Sequence, residues 1–248
     1  MITSPLEQFE ISPFVVCFFG WWDASLTEPL FTLIFIIITS TFVLSTSIVL
    51  GPKLVPGRWQ LISEKLYKGT EILVKDNLEG RSLYFPFIFT LFCFLLSSNL
   101  VGLLPFAFSL TSQLSQTLFL AFSSFFGGVI ISICRHKWNF LNSFLPEGVG
   151  FWLAFFVVPL EFISFLFKPL SLGVRLFANM MAGHTLLKVM AGFGWFAIGD
   201  EGLAILKGHF PVAVLFIILF LEIGVSIIQA YVFTVLTLIY INDGINQH

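Results

Sequence analysis

FKPLSLGVRLFANMMAGHTLLK, residues 167–188, is an apolar run with one arginine, Arg175, near its middle. On a helix, Ser171 and Asn179 lie four residues to either side of Arg175 and share its face. No acid lies within a turn of it. A guanidinium cannot shed its proton to escape burial. Holding it at the centre of a bilayer costs about 2.5–3.5 kcal/mol on insertion scales, and more in simulations. A chain that keeps such a charge needs a partner for it outside this segment. The alternative, an arginine snorkelling from a helix end, fits less well because apolar sequence continues in both directions.

The composition points the same way. Of the 248 residues, 57% are hydrophobic and 10% are charged, and the mean hydropathy is +0.97. A soluble domain carries about 25% charged residues, so most of this surface faces lipid. A net charge of −2 supplies no electrostatic footprint for nucleic acid. Cys17, Cys93 and Cys134 are widely spaced and form no CxxC pair. Neither a disulfide framework nor a zinc site is implied, and no metal or cofactor is expected. The first residues, MITSPLEQFEISP, are acidic and lack Lys and Arg. That is unlike a secretory signal or a transit peptide, so membrane insertion is expected to use the first hydrophobic helix.

Along the chain, residues 1–28 form an acidic N-terminal segment, with Trp21 and Trp22 placed as interfacial aromatics before the first apolar run. Residues 29–50 are uncharged and long enough to span. GPKLVPG breaks that run. Residues 59–77 differ: Trp59, Ile62, Leu66, Leu73 and Val74 recur at helical spacing, with Lys65, Lys68, Glu71 and Lys75 on other faces. This predicts an amphipathic helix on the membrane surface, a soluble linker helix being the alternative. Residues 83–104 and 114–134 are further spans. Residues 151–190 and 211–241 are overlong, since about 20 residues suffice to cross. The first of these must tilt, kink near Pro159 or Pro169, or break, and a Gly-rich connector, AGFGWFAIGDEG, follows it. The fold class is all-α: a single polytopic membrane domain with five transmembrane helices and one surface helix.

Charge placement sets the expected orientation. Loop 51–82 holds Lys53, Arg58, Lys65, Lys68, Lys75 and Arg81, and loop 135–150 holds Arg135 and Lys137. The positive-inside bias puts both loops and the C-terminus inside and the N-terminus outside.

Within the spans, the ionisable residues are Glu161, Lys168, Arg175, His184 and Glu222, with His209 at an edge. By default such residues line a pathway or meet a partner. From Arg175 to His184 is about 13.5 Å of helix rise, and from Glu222 to Gln229 about 10.5 Å. If the two long helices run antiparallel with Arg175 beside Gln229, His184 falls beside Glu222 as a titratable pair on the outer half. Glu161 lies fourteen residues before Arg175, toward the inner side. The expected arrangement is an inner acid, a fixed central cation and an outer acid–imidazole pair. Protons can then move along two half-paths, while the permanent charge between them blocks a leak. Taken singly, His184 reads as readily as a helix–helix hydrogen-bond partner, Glu161 as an interfacial acid and Gln229 as packing. Asn99 reads as structural and Lys168 as snorkelling.

SLGVRLFANMMAGHTLL (171–187), with LEIGVSIIQAYVFTVLTLIYIND (221–243), resembles the subunit a family of F-type ATP synthases. SNLVGLLP (98–105), RHKWNFLNSFLPEGV (135–149) and PLEQFEI near the start extend the likeness over nearly the whole chain. The resemblance implies that Arg175 is the family's essential arginine beside a rotating ring of c subunits. It implies that Asn179 and Gln229 accompany it, that Glu161 belongs to the inner half-channel, and that His184 and Glu222 form the outer one. The His-here, Glu-there arrangement is similar to mitochondrial versions, with other stator subunits and the lipid bilayer as further partners. It also implies two long helices inclined steeply against the c-ring. The chain has no GxxxxGK[ST] loop, so nucleotide binding and catalysis are expected to belong to other subunits.

Two other classes compete. A stand-alone cation/proton antiporter also uses overlong helices and buried charge. A haem-bearing subunit wants paired histidines at matched depth, whereas only His184 sits deep in a span.

Overall fold

Long apolar runs without interior charge have one stable form in lipid, because a helix satisfies its own backbone. The computed structural model obeys this. It describes residues 7–16, 18–19, 22–23, 25–49, 57–78, 82–104, 107–137, 151–198 and 204–245. Among these are six α-helices: α1 (Glu28–Val49), α2 (Arg58–Asn77), α3 (Phe85–Gly102), α4 (Leu114–His136), α5 (Phe151–Ile198) and α6 (Ala204–Ile245). The chain is an all-α polytopic membrane protein. Within α3 to α6 lie four stretches long and apolar enough to cross: Phe85–Gly102, Leu114–His136, Phe155–Gly194 and Pro211–Ile245. α1 has 22 residues, about 33 Å of rise, and its Glu28–Phe42 part is apolar. The hydroxyls of Thr32, Thr39, Ser40, Thr41 and Ser45 bond carbonyls three or four residues back in α1. Their polarity is thereby spent inside the helix, which makes α1 less polar than its sequence reads.

Several expectations shift. α5 runs unbroken for 48 residues through Pro159 and Pro169, about 72 Å, so it cannot stand upright in a core about 30 Å thick. It also continues to Ile198, turning much of the expected Gly-rich connector into helix. α6 starts at Ala204 and carries Pro211 within it. The N-terminal segment is not merely an acidic lead-in. Strand β1 (Pro13–Val15) pairs antiparallel with β4 (Leu26–Thr27), and β2 (Phe18–Phe19) pairs with β3 (Trp22–Asp23). Cys17, Trp21, residues 51–56 and residues 138–150 lie outside the described residues. Cys93 and Cys134 are free thiols.

α2 turns inward only part of the apolar face expected, together with small polar residues. Gln60, Ser63, Thr70 and Val74 are buried, in steps of one or two turns. Leu66 and Leu73 pack beside the core, but Trp59 and Ile62 stay exposed at 63% and 45%. The small polar residues let α2 lie against the bundle beside Leu66, Leu73 and Val74, while Trp59 and Ile62 remain free for lipid. On its exposed side Glu71 and Lys75 form an ion pair at 2.6 Å, and that bond raises the Lys75 pKa above its ordinary value.

α6 is the hub. It packs against α2, α3, α4 and α5. One core cluster joins Leu91, Phe92 and Leu95 of α3, Ala121 of α4, Leu172 and Leu176 of α5, and Ala230 and Phe233 of α6. A second joins Val74 and Leu78 to Ile88 and to Leu238, Ile241 and Ile245. The directions alternate. Asn99 of α3 meets Ser226 while Ile88 meets Leu238, so α3 and α6 are antiparallel. Gly128 of α4 meets Tyr240 while Ser132 meets Gly244, so α4 and α6 are parallel. That alternation is what successive membrane crossings require.

At the α4–α6 contact a Cβ on Gly244 would lie 3.0 Å from the Gly128 carbonyl oxygen and 3.3 Å from Ser132 Cβ. Gly127, next door, has open space. Gly244→Ala should therefore lower stability by about 1–3 kcal/mol through overpacking. Gly127→Ala should not lower it; thermal melting in detergent checks both.

Candidate functional site

α6 changes character along its buried stripe. From Ala230 onward that stripe is mostly apolar, and the two hydroxyls of Thr234 and Thr237 bond back to Ala230 and Phe233. Before it come Glu222, Ser226 and Gln229, each no more than 5% exposed. They lie on one helical face because their spacing is four and then three residues. An acid on a helix this apolar would be costly facing lipid, so the fold turns it inward.

Two contacts from α5 close over this polar half. Asn179 Nδ2 donates to Gln229 Oε1 at 3.0 Å. One turn on, the backbone of Gly183 lies against the Glu222 carboxyl; a Cβ there would sit 2.7 Å from the carboxyl carbon. α3 covers the third side, with fully buried Asn99 donating from Nδ2 to the Ser226 carbonyl at 3.2 Å. Gln229 is thus bonded one turn beyond Arg175, not to Arg175 itself.

Six buried polar atoms in this cluster have no hydrogen-bond partner among the described residues. They are Asn99 Oδ1, His184 Nε2, both Glu222 carboxylate oxygens, Ser226 Oγ and Gln229 Nε2. His184 and Glu222 are therefore not hydrogen-bonded to each other, and the expected pair is a neighbourhood rather than a bond. An unsatisfied buried polar group costs about 1–3 kcal/mol, and folded proteins satisfy such groups with bound water. The cluster suits water and proton exchange. Among the described residues no group of three or more His, Cys, Asp or Glu converges as a metal site would. Ser98 Oγ and Thr111 Oγ1, also unpartnered, line a separate cavity of about 170 Å³ with Leu33, Gln116 and Leu176.

Arg175 is elsewhere on the same helix. It is exposed, in a stripe with Ser171, Val174, Ala178 and Ala182, while Leu172, Leu176 and Met180 face the core. No ion pair joins it to any described residue. Glu161 is half-buried, about 21 Å of helix away. Lys168 is exposed. The structure therefore brings together Asn179, Gln229 and Glu222, sets His184 next in sequence to the Gly183 that touches Glu222, and holds Arg175 on an outward face and Glu161 apart. Asn99 has the structural role expected of it, and Gly183 is a contact residue that the sequence analysis did not single out. Asn99 is the amide within the third helix, and its partner is a carbonyl, which no residue pattern reveals. Gly183 serves the contact with Glu222 inside the chain, Gly173 meets Thr117 and Leu118 of α4, and the alanines remain outward.

A family model described as ATP synthase A chain matches residues 29–242. The chain is 47% identical to the protein named ATP synthase subunit a of Pylaiella littoralis, over the full length of both. It is 41% identical to that of Marchantia polymorpha, again over both full lengths. It is 43% identical to ATP synthase subunit a-2 of Arabidopsis thaliana, over all of this chain and 73% of that protein.

The Gly183–Glu222 contact makes a direct prediction. Gly183→Ala should destabilise by about 1–3 kcal/mol, whereas Gly192→Ala, with nothing near its Cβ position, should not. Adding Glu222→Ala should recover much of the Gly183→Ala loss. Melting temperatures of the four proteins form the double-mutant cycle that tests the coupling.

Proposed function

The chain belongs to the ATP synthase A chain family, and on that premise we propose that it is the proton-translocating stator subunit of an F-type ATP synthase. The observation that carries this reading is the placement of Arg175: central in an apolar helix, outward, and without an ion pair among the described residues. Its stripe neighbours Ser171, Ala178 and Ala182 are small, so a second helix can come close to the guanidinium. A c-ring helix with one carboxylate is the partner that fits.

In this reading a ring carboxylate gives its proton to the inner path near Glu161. It passes Arg175 while charged, then takes a new proton from the outer path near Glu222 and His184. Asn179 and Gln229 hold α5 and α6 together between the two. The buried polar atoms around Glu222 support a hydrated outer half-path. Arg175, always positive, repels protons and separates the halves. Each proton falling through 100 mV releases about 2.3 kcal/mol, so several must pass per ATP. Nucleotide chemistry stays with other subunits, and this chain is a channel, not an enzyme. We place it in the mitochondrial inner membrane, as the His184 and Glu222 arrangement suggests by its likeness to mitochondrial versions, and orient it with its N-terminus in the intermembrane space and its C-terminus in the matrix on the strength of its loop charges.

The test is made in the assembled complex in sealed vesicles. Arg175→Ala is expected to abolish proton-driven ATP synthesis, and preserved synthesis would overturn the proposal. Reconstituted without the ring, the chain should show no coupled cation/proton exchange; robust exchange would favour an antiporter.

A further inference from the structure

The N-terminal segment folds back across the bundle. It is tied to the start of α1 where β1 pairs with β4 and where Glu28 donates its backbone N–H to the Ser12 carbonyl at 3.3 Å. The Ser12 hydroxyl also bonds the Glu28 carboxylate. From that tie the turn Glu7–Phe9 reaches the start of α4. There Gln113, at the start of α4, donates from Nε2 to the Phe9 carbonyl at 2.9 Å. The result places the Phe9 ring edge-on against the His184 imidazole, with centroids 6.4 Å apart and planes at 76°. Both residues are half-buried. No hydrogen bond among the described residues orients the imidazole, and its Nε2 is buried without a partner.

We propose that Phe9 is a positioning residue for the outer proton path: anchored by Gln113, its ring covers the His184 imidazole and fixes its orientation beside Glu222. The inference rests on the reading of His184 as part of that path. A ring that no hydrogen bond holds is free to turn about its side-chain bonds, and an edge-to-face aromatic neighbour restricts that turning. The outer path would then depend on a segment outside the membrane-spanning helices.

The experiment uses the complete ATP synthase carrying this chain, in sealed vesicles. Diethyl pyrocarbonate labelling of His184, mapped by mass spectrometry, reports how well the imidazole is covered. Proton-driven ATP synthesis reports the path. Phe9→Ala should speed His184 labelling by about fivefold, the scale of losing one aromatic pair, and should slow synthesis. Phe9→Tyr, which keeps the ring edge, should restore both. Phe119→Ala, on the exposed side of α4, should change neither. Should Phe9→Ala fail to assemble, Gln113→Ala keeps the ring and removes its anchor, and faster labelling is again expected. Unchanged labelling in the variant that assembles, or Phe9→Tyr behaving like Phe9→Ala, overturns the proposal. His184→Ala separates the two readings. If it retains full synthesis, the role of His184 falls, while the labelling result still judges the Phe9 contact.

Discussion

α5 and α6 must come close enough for a backbone to touch a carboxyl, and the rest of the molecule is arranged around that approach. Gly183 permits it and the Asn179–Gln229 bond holds the register beside it. A single amide–amide bond is worth only about 0.5–1.5 kcal/mol net, so it cannot by itself keep Glu222 buried. Apolar packing does that further along the same helix, where Phe233 is fully buried against α3, α4 and α5. The apolar half of α6 is thus the foundation on which its polar half can stay under-satisfied. Separating the two halves along one helix lets a well-packed core and an under-satisfied polar patch coexist without sharing residues.

α5 divides its work around its circumference instead. Leu172, Leu176 and Met180 face inward, and Ser171, Arg175, Ala178 and Ala182 face out. The guanidinium and the acid cluster are therefore on different sides as well as at different depths. For a reading in which a moving carboxylate must meet both, the traffic between them runs across the helix surface rather than through its interior.

Much of this was legible in the residues. Helix existence followed from apolar runs of 18 residues or more, which have no other form in lipid. The pairing of the Arg175 helix with the Glu222 helix followed from matching rises along two helices, and the structure shifts it by one turn. Three things were not legible. The inward face of α2 mixes Gln60, Ser63 and Thr70 with Val74, because beside a membrane bulky residues such as Trp59 and Ile62 gain as much from lipid as from protein. The continuation of α5 to Ile198 overrides its glycines, since propensity is a weak prior when backbone groups must be satisfied locally. The N-terminal strands and the Phe9–His184 contact come from tertiary placement, and short strands of two or three residues carry too little pattern to register.

The position of α6 in the chain has a consequence for biogenesis. It follows every other described helix in sequence, yet each core cluster includes it. A nascent chain that has inserted α3, α4 and α5 still lacks the helix they close upon, and Asn99 has not yet found its carbonyl on Ser226. Such an intermediate presents unpaired polar groups and small-residue grooves to the bilayer until translation delivers α6. Early termination within α6 is for that reason more damaging than loss of the same length elsewhere, since it removes the helix on which both core clusters close.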